Sequence, residues 1–342
     1  MTDLNNSMKN PSESRFSREK ITYFFLNNKA LLILLVLVVF AQIATNGLFI
    51  NFSNGLSNIS SVSRQIATSA ILGIGFTVVL ASGGVDLSVG HMVSAVGVLY
   101  AIMSLRVPVP LAVIIALLFG TLLGFINGTL AVRFKLAPFI LTLATAQVFK
   151  GVASLLCNGK SVGNLSDGVK VIGQGLLFGA IPASLIIVIF LTVIMAIVMY
   201  RTRYGRHVIA TGGNAEASSV SGINIKNIQI SAYVVMGLFA AIGAIVLTGR
   251  TANASPAAGD GMEMDAIAAV VIGGTPMIGG KANIVGTIFG SLIMGIISNV
   301  LNLMNIDSFW QWVAKGVIII LAILLDAQSE KFFNSQRVKA GA

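Results

Sequence analysis

The sequence has few charged residues and a single thiol. Charged side chains make up 10% of the 342 residues, and Cys157 is the one cysteine. One cysteine excludes an intrachain disulfide, and no group of metal-ligating residues stands near it in the sequence. We therefore expect neither a disulfide framework nor a metal site.

The motifs of common enzymes are also missing. The chain has no HExxH motif, no GxSxG motif in a hydrolase context and no dense pair of acidic residues. Residues 159–161 and 280–281 resemble the end of a phosphate-binding loop, but Ser154 and Thr275 occupy the place of its first glycine, and Ala282 follows the second lysine. We expect no catalytic residue and no bound cofactor; any ATP and Mg²⁺ would be used by a partner.

Long hydrophobic runs dominate the chain instead. Hydrophobic residues make up 56% of the sequence, and the mean hydropathy is +0.90. The runs approach the roughly 20 residues that a helix needs to cross a bilayer, and a helix satisfies its own backbone there. The predicted fold class is an all-α polytopic membrane protein with about ten transmembrane helices, at 30–50, 65–82, 88–105, 109–131, 137–157, 176–200, 228–249, 264–280, 284–304 and 309–326.

The positive charges predict the orientation of these spans. If the chain begins in the cytoplasm, the outer connections hold only Arg64, Arg106, Lys160, Lys170 and Arg250, and Lys150 and Lys315 lie within or near helices. All other lysines and arginines are then cytoplasmic. We expect cytoplasmic tails at 1–29 and 327–342 around a transmembrane domain at 30–326. Topology and anionic lipid explain the net charge of +10; without a basic soluble domain, no nucleic-acid partner is expected.

A weak internal repeat links spans four and nine. The run from Phe119 to Asn127 resembles the run from Phe289 to Asn299 when small insertions are allowed. The two spans cross in opposite directions, as an inverted five-plus-five repeat requires. Chance similarity between helices rich in glycine and leucine is the alternative. Four-residue spacing of the glycines at 120, 124 and 128 indicates close helix packing.

Few polar side chains lie at membrane depth, where they are costly. Asp86 is the one acidic residue between Glu19 and Asp167; it could cap the next helix or line a translocation path. His91 follows one turn later, but one histidine and one aspartate make no metal site. Mid-span polar residues could line a hydrophilic path or form interhelical hydrogen bonds. The candidate path residues are Asp86, Asn127, Thr142, Gln147 and Asn299.

A basic, glycine-marked segment at 201–227 separates spans six and seven, on the predicted cytoplasmic side. Its middle predicts a short helix, because Asn214 is a good N-cap and Gly222 is a plausible C-terminal stop. A connection of this kind is where a soluble partner could bind. The candidate coupling residues are Arg206, Gly212, Gly213, Asn214, Glu216, Ser221 and Gly222.

Several runs in combination carry a family resemblance. They are GGVDLSVG at 83–90, TRYGR at 202–206, ATGGN at 210–214, SGI at 221–223, DAIAAVVIGGT at 265–275 and GGK at 279–281. Together they resemble the membrane permease subunits of bacterial ABC importers for monosaccharides, of the ribose transport type. The resemblance covers about residues 30–326.

The resemblance implies a multi-pass inner-membrane permease that works as a pair, homodimeric or heterodimeric. It also implies a cytoplasmic ATP-binding subunit, a periplasmic sugar-binding protein and a coupling helix at about 212–222. The outer connection at 158–175 looks shorter than in the ribose permease itself, which leaves the sugar open. The alternative function is an ion-coupled secondary transporter of a small polar solute, for which Asp86 and His91 are the candidate ion site.

Overall fold

The computed structural model describes residues 29–50, 57–177, 179, 181–307, 309–321 and 324. Apart from Lys29, the two predicted tails lie outside these residues. The elements in chain order are α1 (Lys29–Ala44), α2 (Ser57–Ala81), α3 (Val89–Ser104), α4 (Val109–Arg133), α5 (Pro138–Leu156), α6 (Asp167–Gln174), β1 (Leu176–Leu177), β2 (Ile181–Pro182), α7 (Ala183–Arg201), α8 (Arg203–Gly213), α9 (Ala215–Val220), α10 (Ile225–Thr251), α11 (Met262–Ile272), α12 (Ile284–Leu303) and α13 (Phe309–Leu321).

Each predicted span overlaps one of these helices. Six of the helices, α2, α4, α5, α7, α10 and α12, are long and apolar enough to cross a membrane, and α1, α3 and α13 are shorter apolar helices. The prediction of a helical polytopic membrane protein is confirmed. The count of ten spans, the location of the termini and the inverted repeat stay predictions.

Two span boundaries were wrong. The sixth span was predicted from residue 176, but β1 and β2 form an antiparallel hairpin there, and α7 begins at Ala183. The eighth was predicted to reach residue 280, but α11 ends at Ile272. Gly274, Gly279 and Gly280 have φ angles of 90°, 90° and 75°, and this left-handed backbone cannot continue a helix, whatever the hydropathy.

Two helices occupy the middle of the bundle. Most of the apolar residues of α2 are buried within the chain, where α2 packs against α7, α10, α11 and α12. Most of α7, by contrast, is exposed. α10 contacts α2, α3 and α4. Gly120, Gly124 and Gly128 of α4 all face α10, where Gly124 lies against the backbone of Tyr233 and Gly237. The predicted packing role of this glycine ridge is confirmed.

The connections between helices meet in two separate groups. In the first, the Gly280 amide donates to the Ala81 carbonyl at 3.1 Å, and Gly212 lies against both residues. In the second, Val162 and Ala254 exchange backbone hydrogen bonds of 2.8 and 2.9 Å. The first group contains connections that we expected on the cytoplasmic side, and the second contains connections that we expected outside. The contacts group the connections by predicted side, and the orientation of the spans stays a prediction.

Candidate translocation and coupling sites

One polar cluster fills the interruption between α2 and α3. Asp86 Oδ1 accepts from the Ser88 amide at 2.9 Å and from Ser88 Oγ at 2.6 Å. Asn127 Nδ2 on α4 donates to Ser88 Oγ at 2.8 Å, and the Leu87 amide donates to Thr142 Oγ1 on α5 at 3.0 Å. Asp86, Ser88, Asn127 and Thr142 are all fully buried. We call these four residues the sealed cluster.

The sealed cluster holds the start of α3 in place. Ser88 is the N-cap residue of α3, and its own amide and hydroxyl are bound by Asp86. Tyr233 on α10 adds a hydrogen bond of 3.0 Å to the Val85 carbonyl. The capping alternative for Asp86 thus has direct geometric support. Asp86 Oδ2 and Asn127 Oδ1 are buried without a hydrogen-bond partner, so the cluster is costly as well as specific.

The other two candidate path residues lie apart from this cluster. Gln147 is exposed on α5. Asn299 on α12 exchanges side-chain hydrogen bonds of 3.0 and 3.1 Å with Asn58 on α2. Of the two alternatives for mid-span polar residues, Asn299 forms an interhelical hydrogen bond.

A second polar cluster lies beside the first turns of α3. Lys150 Nζ on α5 lies 3.0 and 3.1 Å from the two carboxylate oxygens of Asp260, and His91 Nε2 on α3 lies 3.4 Å from Asp260 Oδ1. The Gly259 amide donates to Ser94 Oγ at 2.9 Å. These contacts join α3, α5 and the connection between α10 and α11.

Glu263 completes this second cluster at the start of α11. Its Oε2 lies against Gly90, whose missing Cβ leaves room for the carboxylate, and it has no hydrogen-bond partner. The side chains of Asp260 and Lys150 are 45% and 40% exposed, whereas that of His91 is 12% exposed. We call His91, Lys150, Asp260 and Glu263 the open cluster.

The open cluster lies at membrane depth. The Gly259 amide is bonded to Ser94, in the first half of α3. At a rise of 1.5 Å per residue, Gly259 therefore lies about 15 Å along the helix axis from the C-terminal end of α3 at Ser104. The connection at 252–261 therefore enters the bundle, which explains why α11 is short. Non-helical backbone at this depth is tolerated only where protein buries it or a water-filled cavity adjoins it.

Sequence reasoning missed this cluster. Asp260 was expected in an outer connection, Lys150 was assigned no role, and His91 was considered with Asp86 alone. The signals were a lysine inside a span and the glycines at 259 and 261, which flank Asp260. Pairing residues from distant parts of the chain required the fold.

A groove between α2, α7 and α12 has a different character. Apart from Ser63 and Thr192, its lining is apolar: Ile66, Ala67, Ala70, Leu185, Val188, Ile189, Val193, Ile288 and Leu292. A neutral, hydroxyl-rich solute needs hydrogen-bonding partners, which this lining scarcely offers. The groove is therefore not a candidate sugar site.

The predicted coupling segment folds into two helices, α8 and α9. Asn214 Oδ1 accepts from the Ala217 amide at 2.9 Å, and this confirms Asn214 as the N-cap of α9. Gly222 has a φ of 81°, its amide donates to Ser219 and the next amide to Ser218, which confirms it as the C-terminal stop. Ser221 Oγ also donates to the Ala217 carbonyl at 2.9 Å.

The outer surface of this segment is free within the described chain. Arg206 and Glu216 are exposed, and Val220 is 91% exposed although it is apolar. On the inner side, Tyr204 accepts a hydrogen bond of 3.1 Å from Ser231 Oγ of α10, and burial raises the pKa of its phenol. Tyr204 therefore stays neutral and attaches α8 to the bundle.

Glycines attach the other end of α8. The residues that meet there, which we call the glycine junction, are Gly83, Gly212, Gly213, Gly279 and Gly280. A Cβ on Gly212 would clash with the Ala81 carbonyl oxygen, and one on Gly280 would lie 2.8 Å from Gly213 Cα. The coupling segment thus touches, backbone to backbone, the connections that precede α3 and α12.

A family model described as "Branched-chain amino acid transport system / permease component" matches residues 58–325. The chain belongs to this permease family. The permease is 34% identical over 315 residues to a ribose import permease protein of Haemophilus influenzae, with 91% of this chain and 96% of the relative covered. It is 40% identical over 272 residues to a ribose import permease protein of Bacillus subtilis, with 79% and 84% covered. A xylose transport system permease protein of Escherichia coli is 31% identical over 360 residues, with 87% and 91% covered.

No solved structure matches this permease. The expected resemblance to monosaccharide permeases of bacterial ABC importers is confirmed, and the chain is a multi-pass protein of the inner membrane. It is a transport component without a catalytic role of its own. No group of three or more metal-ligating residues occurs in the part of the permease that the structure describes.

Proposed function

We propose that this permease forms the translocation path for a monosaccharide, ribose or a similar sugar. A periplasmic binding protein delivers the sugar, and a separate cytoplasmic subunit hydrolyses ATP with Mg²⁺. The observation that carries the proposal is the similarity, along nearly the whole chain, to permeases named for ribose and xylose import. The open cluster supports it, because it supplies hydrogen-bonding groups at membrane depth, where most of the other exposed side chains are apolar.

The orientation proposed has ten spans and both termini in the cytoplasm. The glycine junction supports this orientation. Three connections meet there, and the charge pattern assigns all three to the cytoplasmic side. Pairwise packing supports an inverted repeat. The third and fourth spans, α3 and α4, pack on the seventh, α10; the eighth and ninth, α11 and α12, pack on the second, α2.

α9 is proposed as the coupling helix that binds in a groove of the ATP-binding subunit. Its caps fix both of its ends, and Glu216 and Val220 present a charge and an apolar side chain that no part of the described chain covers. Through α8 and the glycine junction, movement of α9 would reach the start of α3, where the sealed and open clusters adjoin.

A second permease subunit is part of the proposed assembly. α4, α5 and α7 leave most of their surface uncovered within the chain, and their exposed side chains are largely apolar. Lipid and a second copy or a relative would cover these faces. An ion-coupled secondary transporter is not favoured, because the relatives are permease subunits of ATP-driven importers.

Reconstitution tests the function. The chain, co-expressed with the ATP-binding subunit and binding protein of its own import system, should co-purify with the ATP-binding subunit and support ATP-dependent uptake of ribose or xylose into proteoliposomes. The permease alone should hydrolyse no ATP and bind sugar weakly, with a dissociation constant on the order of millimolar. Uptake driven by an ion gradient without ATP would contradict the proposal and favour the secondary transporter.

Coupling variants test the role of α9. Glu216→Arg should uncouple ATP hydrolysis from uptake while thermal stability in detergent is retained, because Glu216 is exposed outside the bundle. Gly213→Pro should also uncouple them, because a proline breaks the last turn of α8 where it meets the glycine junction. Asp167→Arg is the matched control, an equal charge reversal at an exposed carboxylate on the opposite side. Full uptake and normal association of the ATP-binding subunit in both coupling variants would refute the assignment.

A further inference from the structure

We propose that the open cluster is a hydroxyl-binding subsite for a neutral sugar on its way through the permease. Asp260, Lys150 and His91 would contact the sugar, and Glu263 would supply an additional acceptor. This inference rests on the proposed sugar-permease function and assigns residues to it that sequence reasoning did not.

The first argument is that the cluster combines exposed charged side chains with buried polar atoms that have no hydrogen-bond partner. About two-fifths of the Lys150 and Asp260 side chains is exposed, and His91 Nδ1 and Glu263 Oε2 are buried behind them without a partner. Burying charged groups in a membrane is costly, and such groups usually face a cavity that water or a solute enters. The sealed cluster lacks any such opening.

The second argument concerns the chemical class of the ligand. The Asp260 carboxylate is already neutralised by Lys150 at 3.0 Å, so a metal cation or a proton would have to displace that ammonium. A hydroxyl group donates to a carboxylate and accepts from an ammonium, so a polyhydroxyl solute can join such a pair without breaking its charge balance. The arrangement therefore fits a neutral sugar better than a coupling ion.

The third argument is positional. Asp260 lies on a non-helical connection, His91 near the start of α3, and Lys150 well inside α5. The cluster thus connects the 252–261 connection and the start of α3 to the continuous helix α5. A displacement of the connection or of the start of α3 would change the distances between the side chains of the cluster. A sugar bound there would be held while the interruptions are in one arrangement and released when they move.

The alternative is an ion pair that only fixes the 252–261 connection to α5. A charge reversal separates the two roles. In the double variant Lys150→Asp with Asp260→Lys, the pair is retained but the donor and acceptor exchange places. Asp265 and Lys315, a pair at 2.8 Å between α11 and α13 with side chains about one-quarter exposed, provide the matched reversal.

Uptake is measured with the complete importer in proteoliposomes at saturating binding protein, with ribose and xylose as probes. Asp260→Asn and the Lys150/Asp260 reversal should each lower the maximal rate of sugar uptake about tenfold. This is the effect expected when one or two charge-assisted hydrogen bonds to the sugar are lost. The Asp265/Lys315 reversal retains an ion pair outside the open cluster, so it should stay within about twofold of wild type. Thermal stability and co-purification with the ATP-binding subunit should be unchanged in Asp260→Asn.

A labelling experiment reads the site directly. In the full chain with Cys157→Ser, Lys150→Cys should react with a charged, membrane-impermeant thiol reagent, and ribose on the order of 0.1 M should slow that reaction. Val148→Cys is the control, because Val148 is exposed on the opposite face of α5, which lipid or a second subunit would cover. This cysteine should react more slowly, and ribose should not protect it.

The outcomes separate the two proposals. Restored uptake in the Lys150/Asp260 reversal, or labelling at 150 that ribose does not slow, would refute the subsite while wild-type uptake still supports the permease function. Absence of any sugar uptake by the wild-type importer would refute the proposed function itself.

Discussion

The sealed and open clusters lie at opposite ends of one short stretch of chain, residues 86–91. Both place an aspartate at membrane depth, and both join α3 to α5. In the sealed cluster, Asp86 binds the Ser88 amide and hydroxyl and no atom reaches the surface. In the open cluster, Asp260 binds Lys150 and nearly half of its side chain is exposed. Residue type alone therefore does not separate a polar group that fixes the backbone from one that meets a solute; burial and partner type do.

The largest effect is expected in the sealed cluster. Asp86→Ala leaves the Ser88 amide and hydroxyl without their acceptor, which should lower the free energy of unfolding by about 1–3 kcal/mol. Asp86→Asn keeps the accepting oxygen and should lose much less. Thermal unfolding in detergent measures both. Equal stability of Asp86→Ala and wild type would show that this cluster does not fix α3.

A smaller effect is expected at the hydrogen-bonded asparagine pair. Asn299→Ala removes two side-chain hydrogen bonds to Asn58, and interhelical hydrogen bonds in membrane proteins contribute roughly 0.6 kcal/mol on average. Asn58→Ala should cost the same, and the double variant should add little further loss because both changes remove one interaction. Additive losses would show that the two residues act independently. Sugar uptake should stay near wild type, which would remove Asn299 from the path.

The smallest effect is expected at an exposed ion pair on α6. The Lys170 ammonium, 2.8 Å from Asp167, lowers the pKa of that carboxyl. A lowered pKa stabilises the folded state above the carboxyl's ordinary range, and that contribution disappears as the pH falls through the lowered value. Because Asp167 is fully solvated, Asp167→Asn should change neither the melting temperature nor its pH profile measurably. A clear shift in the melting temperature would mean that this exposed ion pair contributes to stability much as a buried polar contact does.

Much of the fold followed from hydropathy, and the exceptions have local causes. Each of the ten predicted spans overlaps a helix of the described chain, because long apolar runs must satisfy their own backbone in lipid. The errors at 176–182 and 273–280 occur where apolar residues continue but glycine or a hairpin ends the helix. Hydropathy averages over a window and does not register a single left-handed backbone angle.

The candidate site was predicted less completely, for a physical reason. The caps of α9 depend on neighbouring residues, so Asn214 and Gly222 could be identified from sequence. Asp260 and Lys150 are more than a hundred residues apart and meet only because the 252–261 connection enters the bundle. Nothing in a linear pattern measures that depth.

The glycine junction has a mechanical consequence. A contact made through long side chains is compliant, since rotamer changes absorb part of any applied displacement. At Gly212 and Gly280 the contact is between main chains, and the Gly280 amide is bonded to the Ala81 carbonyl. There is no intervening side chain to yield. The last turn of α8 and the end of α2 are therefore rigidly joined. In the proposed coupling role of α9, this joint would pass a displacement of α9 on to the start of α3.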